Sequence, residues 1–122
     1  MTIHCLIVDD NREFLEVARN LLEAEGINVV GVATNGVEAV RQVAELQPDV
    51  TLVDVNLGDE DGFDVARRIV AANGGTPSRV MLISTYAEKD LVDSAPSGRP
   101  LPFLSKTDLS ASAIRAVLSC GS

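Results

Sequence analysis

Ile3-His4-Cys5-Leu6-Ile7-Val8-Asp9-Asp10 is a run of apolar, β-branched residues that ends abruptly in two acids. A second run, Val50-Thr51-Leu52-Val53, ends in Asp54. Short apolar runs of this kind fit strands buried on both faces of a parallel sheet. In such sheets the carboxyl ends of the strands open onto the crevice where ligands bind. That placement would gather Asp9, Asp10 and Asp54. Two carboxylates about 5 Å apart repel by roughly 3 kcal/mol at an effective dielectric of about 20. A cation therefore belongs among them, and a hard divalent ion with oxygen ligands is the natural candidate.

Working outward, the period changes after Asp10. Phe14, Val17, Ala18, Leu21 and Leu22 recur at helical spacing, and Gly26 stops the helix. Residues 27–33 are again β-rich. Asn35 with Glu38 has the spacing of a capping box and opens a second helix, with Val40, Val43, Ala44 and Leu46 on one side, ending before Pro48. After Asp54 a loop, Asn56-Leu57-Gly58-Asp59-Glu60, leads to a third helix with Asp61 and Asp64 at its start, where acids suit the helix dipole. That helix carries Val65, Ile69 and Ala72 and stops at Asn73-Gly74-Gly75. Arg79-Val80-Met81-Leu82-Ile83 is a fourth strand entering Ser84-Thr85-Tyr86. The helix expected from about Glu88 must be short, because Pro96, Gly98, Pro100 and Pro102 interrupt it. Leu101-Pro102-Phe103-Leu104 forms a fifth strand closed by Ser105-Lys106, and Ile114, Val117 and Leu118 mark a last helix. Five strand-then-helix repeats predict a doubly wound α/β fold in a single domain over residues 1–122.

The chain of 122 residues carries a net charge of −8, which argues against direct binding to nucleic acid or an anionic membrane. Aromatic residues make up 3% of it, so Val, Ile, Leu and Ala must build the core. No basic leader or membrane-length apolar stretch is present, and a soluble cytoplasmic protein is the expectation. Cys5 and Cys120 lack a CxxC spacing and fit free thiols. His4, inside an apolar strand, fits a structural histidine.

Taken together, the strand ends supply Asp9-Asp10, Asp54, Ser84 and Lys106. With Leu6-Ile7-Val8-Asp9-Asp10, Val53-Asp54-Val55-Asn56-Leu57, Asp61-Gly62 and Phe103-Leu104-Ser105-Lys106, this order resembles the receiver domain of bacterial two-component response regulators. The resemblance covers essentially the whole chain. It implies a flavodoxin-like, five-stranded parallel sheet of order 2-1-3-4-5 with helices on both faces. Chemotaxis receivers are a standing example of that order, which follows here from the resemblance and not from the residue pattern. The resemblance also implies roles. Asp54 would accept a phosphoryl group from a sensor histidine kinase. Mg²⁺ would be held by Asp10 directly, by Asp9 through water, by Asp54 and by the backbone carbonyl of Asn56. Lys106 and Ser84 would contact the phosphoryl oxygens, and Phe103 would swing inward as Ser84 is drawn to the phosphate. The surface of the fourth and fifth strands would then engage a downstream protein or output domain, with homodimerisation on phosphorylation as a further expectation. The proline-interrupted region followed by Phe103-Leu104-Ser105-Lys106 and a Ser/Ala-rich last helix resembles receivers of helix-turn-helix transcription regulators, with a stand-alone regulator acting by protein contact as the alternative.

Each residue alone has a plainer reading. Asp10 fits a helix cap, Ser84 a turn, Lys106 a solvated surface residue and Phe103 core; their convergence favours the functional one. A Mg²⁺-dependent phosphatase with an aspartyl nucleophile would need an Asp-x-Asp pair on the first strand and a substrate cap, where this chain has adjacent Asp9-Asp10. A phosphorylation-inert binding module would have no use for the intact set. Some positions depart from the family pattern: Thr107 follows Lys106 where proline is usual, Gly58 replaces a frequent proline and predicts a looser loop, and Thr85 takes the place of a smaller alanine.

Overall fold

The computed structural model describes residues 3–58, 60–72, 79–84, 103–106 and 109–120. Strands β1 (Ile3–Val8), β2 (Ile27–Ala33), β3 (Val50–Asp54), β6 (Arg79–Ser84) and β7 (Phe103–Ser105) form one parallel sheet. Its order is β2-β1-β3-β6-β7. Counting only these five strands, that is the 2-1-3-4-5 arrangement expected. A separate antiparallel hairpin is made by β4 (Asn56–Leu57) and β5 (Glu60–Asp61). Helices α1 (Arg12–Ala24), α2 (Gly36–Leu46), α3 (Gly62–Ala72) and α4 (Ala111–Cys120) complete the described elements. The short fourth helix expected from Glu88, Thr85, Thr107 and the Pro96–Pro102 stretch lie outside the described residues.

Every residue of β3 is buried, as the unalternating run Val50–Asp54 requires. Alternate side chains of each strand serve opposite layers. Cys5, Ile7, Val50, Leu52, Met81 and Ile83 face a cluster with α1 and with Leu109, Ala111 and Ile114 at the start of α4. Leu6, Val8, Val53, Val80 and Leu82 face α2 and α3. The Cys5 thiol, wholly buried, is pushed up to about 12 by desolvation and is chemically quiet.

The helix boundaries follow local chemistry. Asn11, rather than Asp10, caps α1: its side-chain oxygen accepts from the backbone N–H of Glu13 at 3.0 Å and of Phe14 at 3.2 Å. This frees Asp10 for other work. Gly26, with φ +92°, follows the end of α1 as expected. Asn35 caps α2 through Glu38 N–H at 2.8 Å, and the left-handed Gln47 precedes Pro48. The apolar stripes agree with the sequence reading at Ala18, Leu22 and Val43, with Phe14 and Val40 partly buried, and depart from it elsewhere. On α1 the buried residues are Leu15, Ala18 and Leu22, while Val17 and Leu21 are 60% and 39% exposed. On α2 they are Gly36, Ala39 and Val43, with Ala44 and Leu46 exposed. A helix rich in Leu, Val and Ala on more than one side offers several stripes of similar hydrophobicity, and the tilt against the sheet selects one.

This phase has a measurable consequence. Leu22→Ala should lower the unfolding free energy by about 2–5 kcal/mol, the range for emptying a buried leucine site. Val17→Ala, five residues earlier on the solvent side, should change it by less than about 0.5 kcal/mol. Denaturant unfolding of both variants checks this, and equal losses would contradict the assigned face.

Candidate phosphoryl and metal site

The sheet delivers its chemistry to one edge. β1 ends at Val8, so Asp9 and Asp10 follow at its carboxyl end; β3 ends in Asp54, β6 ends in Ser84, and Lys106 follows β7. These residues, with Asn11, Asn56 and Gly58, line a crevice of about 220 Å³. The residues singled out from sequence as Asp9, Asp10, Asp54, Asn56, Ser84 and Lys106 are thus brought together. Phe103 occupies β7, opposite Leu82 in register; its side chain lies outside the described residues.

Asp9 is fully buried, Asp54 is 6% exposed and Ser84 is 1% exposed. Each of the two buried carboxylates is held the same way. One oxygen accepts from a backbone N–H two residues on: Asn11 to Asp9 at 2.9 Å, and Asn56 to Asp54 at 3.2 Å. The other faces Lys106, whose Nζ stands 2.7 Å from Asp9 Oδ2 and 3.3 Å from Asp54 Oδ2. Among the described residues Asp9 Oδ2 has no directed hydrogen-bond partner, and its 2.7 Å contact with the Lys106 ammonium is an ion pair. Thr51 Oγ1, deeper in β3, is also buried and has no hydrogen-bond partner among the described residues.

Desolvation pushes the Asp54 carboxyl up from 3.8 to about 6; the neighbouring Asp9 charge adds to the rise, while the Asn56 N–H and Lys106 oppose it. Burial pulls Lys106 down, but the Asp9 carboxylate and the attraction of both acids outweigh it, and the ammonium is held above its ordinary value.

Oxygens of Asp9, Asp10 and Asp54 all lie within 4.8 Å of one another. An all-carboxylate donor set is hard, and Asp9 Oδ2 lacks a directed donor. These residues fit a hard divalent cation. Asp10 is exposed and available as a direct ligand. A Cβ on Gly58 would stand 3.1 Å from Asp10 Oδ2, and Gly58 has φ +66°, so glycine suits both the backbone and the approach to the acid.

Two features went unread in the sequence. The stretch after Asp54 is the β4–β5 hairpin instead of a loose loop. Glu60 anchors it, accepting from Gly36 N–H at 2.8 Å and pairing with Arg68 at 3.2 Å. The partners lie 24 residues apart in one case, and no local pattern announces them. Gly62 is fixed by contact: a Cβ there would collide with the Asp54 carbonyl and Val55. Secondly, the Phe14 ring lies under the Lys106 ammonium, 4.3 Å from Nζ to centroid. From sequence Phe14 is simply an apolar helix position.

The family description "Response regulator receiver domain" matches residues 5–117. The chain belongs to that family. It is 39% identical over 94 residues, covering 76% of this chain, to protein-glutamate methylesterase/protein-glutamine glutaminase 5 of Myxococcus xanthus. It covers 27% of that relative, and 19% of the related Hahella chejuensis protein to which it is 42% identical over 65 residues. The chain therefore spans about a quarter of the length of these curated relatives. Among solved structures, the signal receiver domain of a modulated diguanylate cyclase from Desulfovibrio desulfuricans is 32% identical with a TM-score of 0.76, covering 98% of this chain and 93% of that one. A receiver domain from Mycobacterium tuberculosis is 30% identical with the same TM-score of 0.76, covering 98% and 95%. As a receiver, this chain is a regulatory module of two-component signalling. No helix among its described residues is long and apolar enough to cross a membrane.

The raised Asp54 value sets a pH dependence. Unfolded, Asp54 ionises at its ordinary value of 3.8; folded, it is pushed up to about 6. Between those values the folded receiver binds the extra proton, so Asp54's contribution becomes unfavourable as pH rises through the window and is fully unfavourable above it. In metal-free buffer Asp54→Asn should therefore be more stable than wild type at neutral pH, by on the order of 2 kcal/mol. The difference should vanish below the ordinary value of 3.8. Thermal or denaturant unfolding across that range checks it, and a gap independent of pH would contradict it.

Proposed function

We propose that this receiver is a phosphorylation-activated switch in which Asp54 takes a phosphoryl group from the phosphohistidine of a sensor kinase. The observation that supports it is the sharing of Lys106 by Asp9 and Asp54 in a crevice that Asp10 and Ser84 also line. In the transfer an Asp54 carboxylate oxygen attacks phosphorus, the P–N bond of the donor breaks, and the leaving imidazole takes up a proton. Lys106 neutralises charge on the phosphoryl oxygens, and Asn56 N–H orients the acceptor by holding its other oxygen. Mg²⁺, held by Asp9, Asp10, Asp54 and the Asn56 carbonyl, would supply further charge neutralisation. Ser84, at the end of β6 and already buried beside Asp54, would give its hydroxyl to the phosphoryl group.

The signal would leave through β6 and β7, which pair Ser84 with Ser105 and Leu82 with Phe103. A single hydrogen bond to a charged group is worth roughly 1.5–3 kcal/mol, whereas converting a 1:99 population to 99:1 takes about 5.5 kcal/mol. Ser84 alone falls short, so the Lys106 contact and a rearrangement around Phe103 must contribute. The output partner is a downstream protein or attached domain. The methylesterase relatives favour an output of that kind, and the DNA-binding output suggested by the proline-interrupted region and the Ser/Ala-rich last helix stands beside it as a second proposal.

A small phosphodonor such as acetyl phosphate, with Mg²⁺, should label the wild type with base-labile phosphate. Asp54→Asn should abolish it, while Ser84→Ala and Lys106→Ala retain slower labelling, because neither supplies the nucleophile. Undiminished labelling of Asp54→Asn would show that another residue accepts. Asp10→Ala should weaken Mg²⁺ binding measured by calorimetry, and an unchanged affinity would remove Asp10 from the metal site.

A further inference from the structure

The Lys106 ammonium has three neighbours that act together. Asp9 lies 2.7 Å away and Asp54 3.3 Å away, and the ring of Phe14 presents its face 4.3 Å from Nζ. The lysine side chain is only 11% exposed. Phe14 itself is fixed, with its N–H bonded to Asn11 Oδ1 at 3.2 Å in the first turn of α1. Its ring is partly buried against the cluster of Leu15, Leu22, Leu52 and Ile83.

We propose that Phe14 is a positioning residue for Lys106, its ring face holding the ammonium where Asp9 and Asp54 share it. The inference rests on the reading of Lys106 as the cation that meets the phosphoryl group on Asp54. A lysine is a point charge on a flexible stem. Ion pairing alone would draw it toward Asp9, the nearer and fully buried acid, and away from Asp54. An aromatic face attracts the cation through its quadrupole and offers no hydrogen-bonding oxygen to compete with an incoming phosphate. The ring also keeps water off the ammonium on that side, which strengthens its attraction for the phosphoryl oxygens. A leucine at position 14 would fill much of the space and lack the quadrupole. A tyrosine would keep it.

The test uses the full chain as wild type, Phe14→Leu and Phe14→Tyr. Three readouts are taken on each: the initial rate of labelling by acetyl phosphate at saturating Mg²⁺, the Mg²⁺ affinity, and the proton chemical shift of the Lys106 ε-methylene. In the wild type that methylene should be shifted upfield by the ring current. Phe14→Leu should lose the shift and label about 3- to 30-fold more slowly, with Mg²⁺ affinity and Phe14→Tyr labelling within about twofold of wild type. The proposal is overturned if Phe14→Leu labels at the wild-type rate, if both variants slow equally, or if the wild-type methylene carries no ring-current shift. Asp54→Asn run alongside separates the two readings. Were it still labelled, the acceptor assignment would fall, while the chemical shift would still decide whether Phe14 holds Lys106.

Discussion

Two carboxylates shut away from water, Asp9 and Asp54, share one ammonium, and the rest of the site depends on that arrangement. Ionised groups removed from water are tolerated only when paired. The sheet order makes the pairing possible. β1 and β3 are neighbours, so their terminal acids are adjacent, while Lys106 follows β7, two strands beyond β3. Strands lie about 4.8 Å apart, so Lys106 must bridge roughly 10 Å of sheet. A long stem with a compact charge meets that need, and Ser84, at the end of the intervening β6, lines the same crevice.

The charge balance is incomplete. Among the described residues one ammonium faces two buried acids and an exposed third, and desolvation, with the Asp9 charge adding to it, leaves the Asp54 carboxyl pushed up to about 6. Such a site gains from any further positive charge and from converting Asp54 into a group that Lys106 and Ser84 can grip. The surroundings hold it ready. Asn11 caps α1 and presents its N–H to Asp9, Gly62 lets α3 start against the Asp54 backbone, and Glu60 ties the intervening hairpin to the start of α2.

Much of this was legible in the sequence because it rests on short-range pattern. Apolar runs that end in acids marked the strands, Asn35 and Gly26 marked two helix boundaries, and the acids fell at one edge once the strands were taken as parallel. What escaped depends on three-dimensional contact. Ala18, Leu22 and Val43 were legible as inward positions, but Leu15 and Ala39 were not, since neighbouring stripes were comparably apolar. Asn11 displaced Asp10 as the cap because two acceptor-bearing residues stand side by side before α1. Glu60 finds Gly36 only through the packing of the hairpin on α2, and Phe14 finds Lys106 only where α1 passes the end of β7.

The shared ammonium is tested most directly by a double-mutant cycle on Asp54 and Lys106, with stability measured by denaturant unfolding at neutral pH without divalent ions. Lys106→Met in the wild type leaves two buried acids without a counter-charge, and removing one partner of a buried pair is typically worth about 3–5 kcal/mol. In the Asp54→Asn background only Asp9 loses its partner, so the same substitution should be less damaging by at least about 1 kcal/mol. A coupling of that size and sign would support one cation holding both carboxylates. Additive effects would mean that Lys106 serves Asp9 alone, and would contradict a shared ammonium.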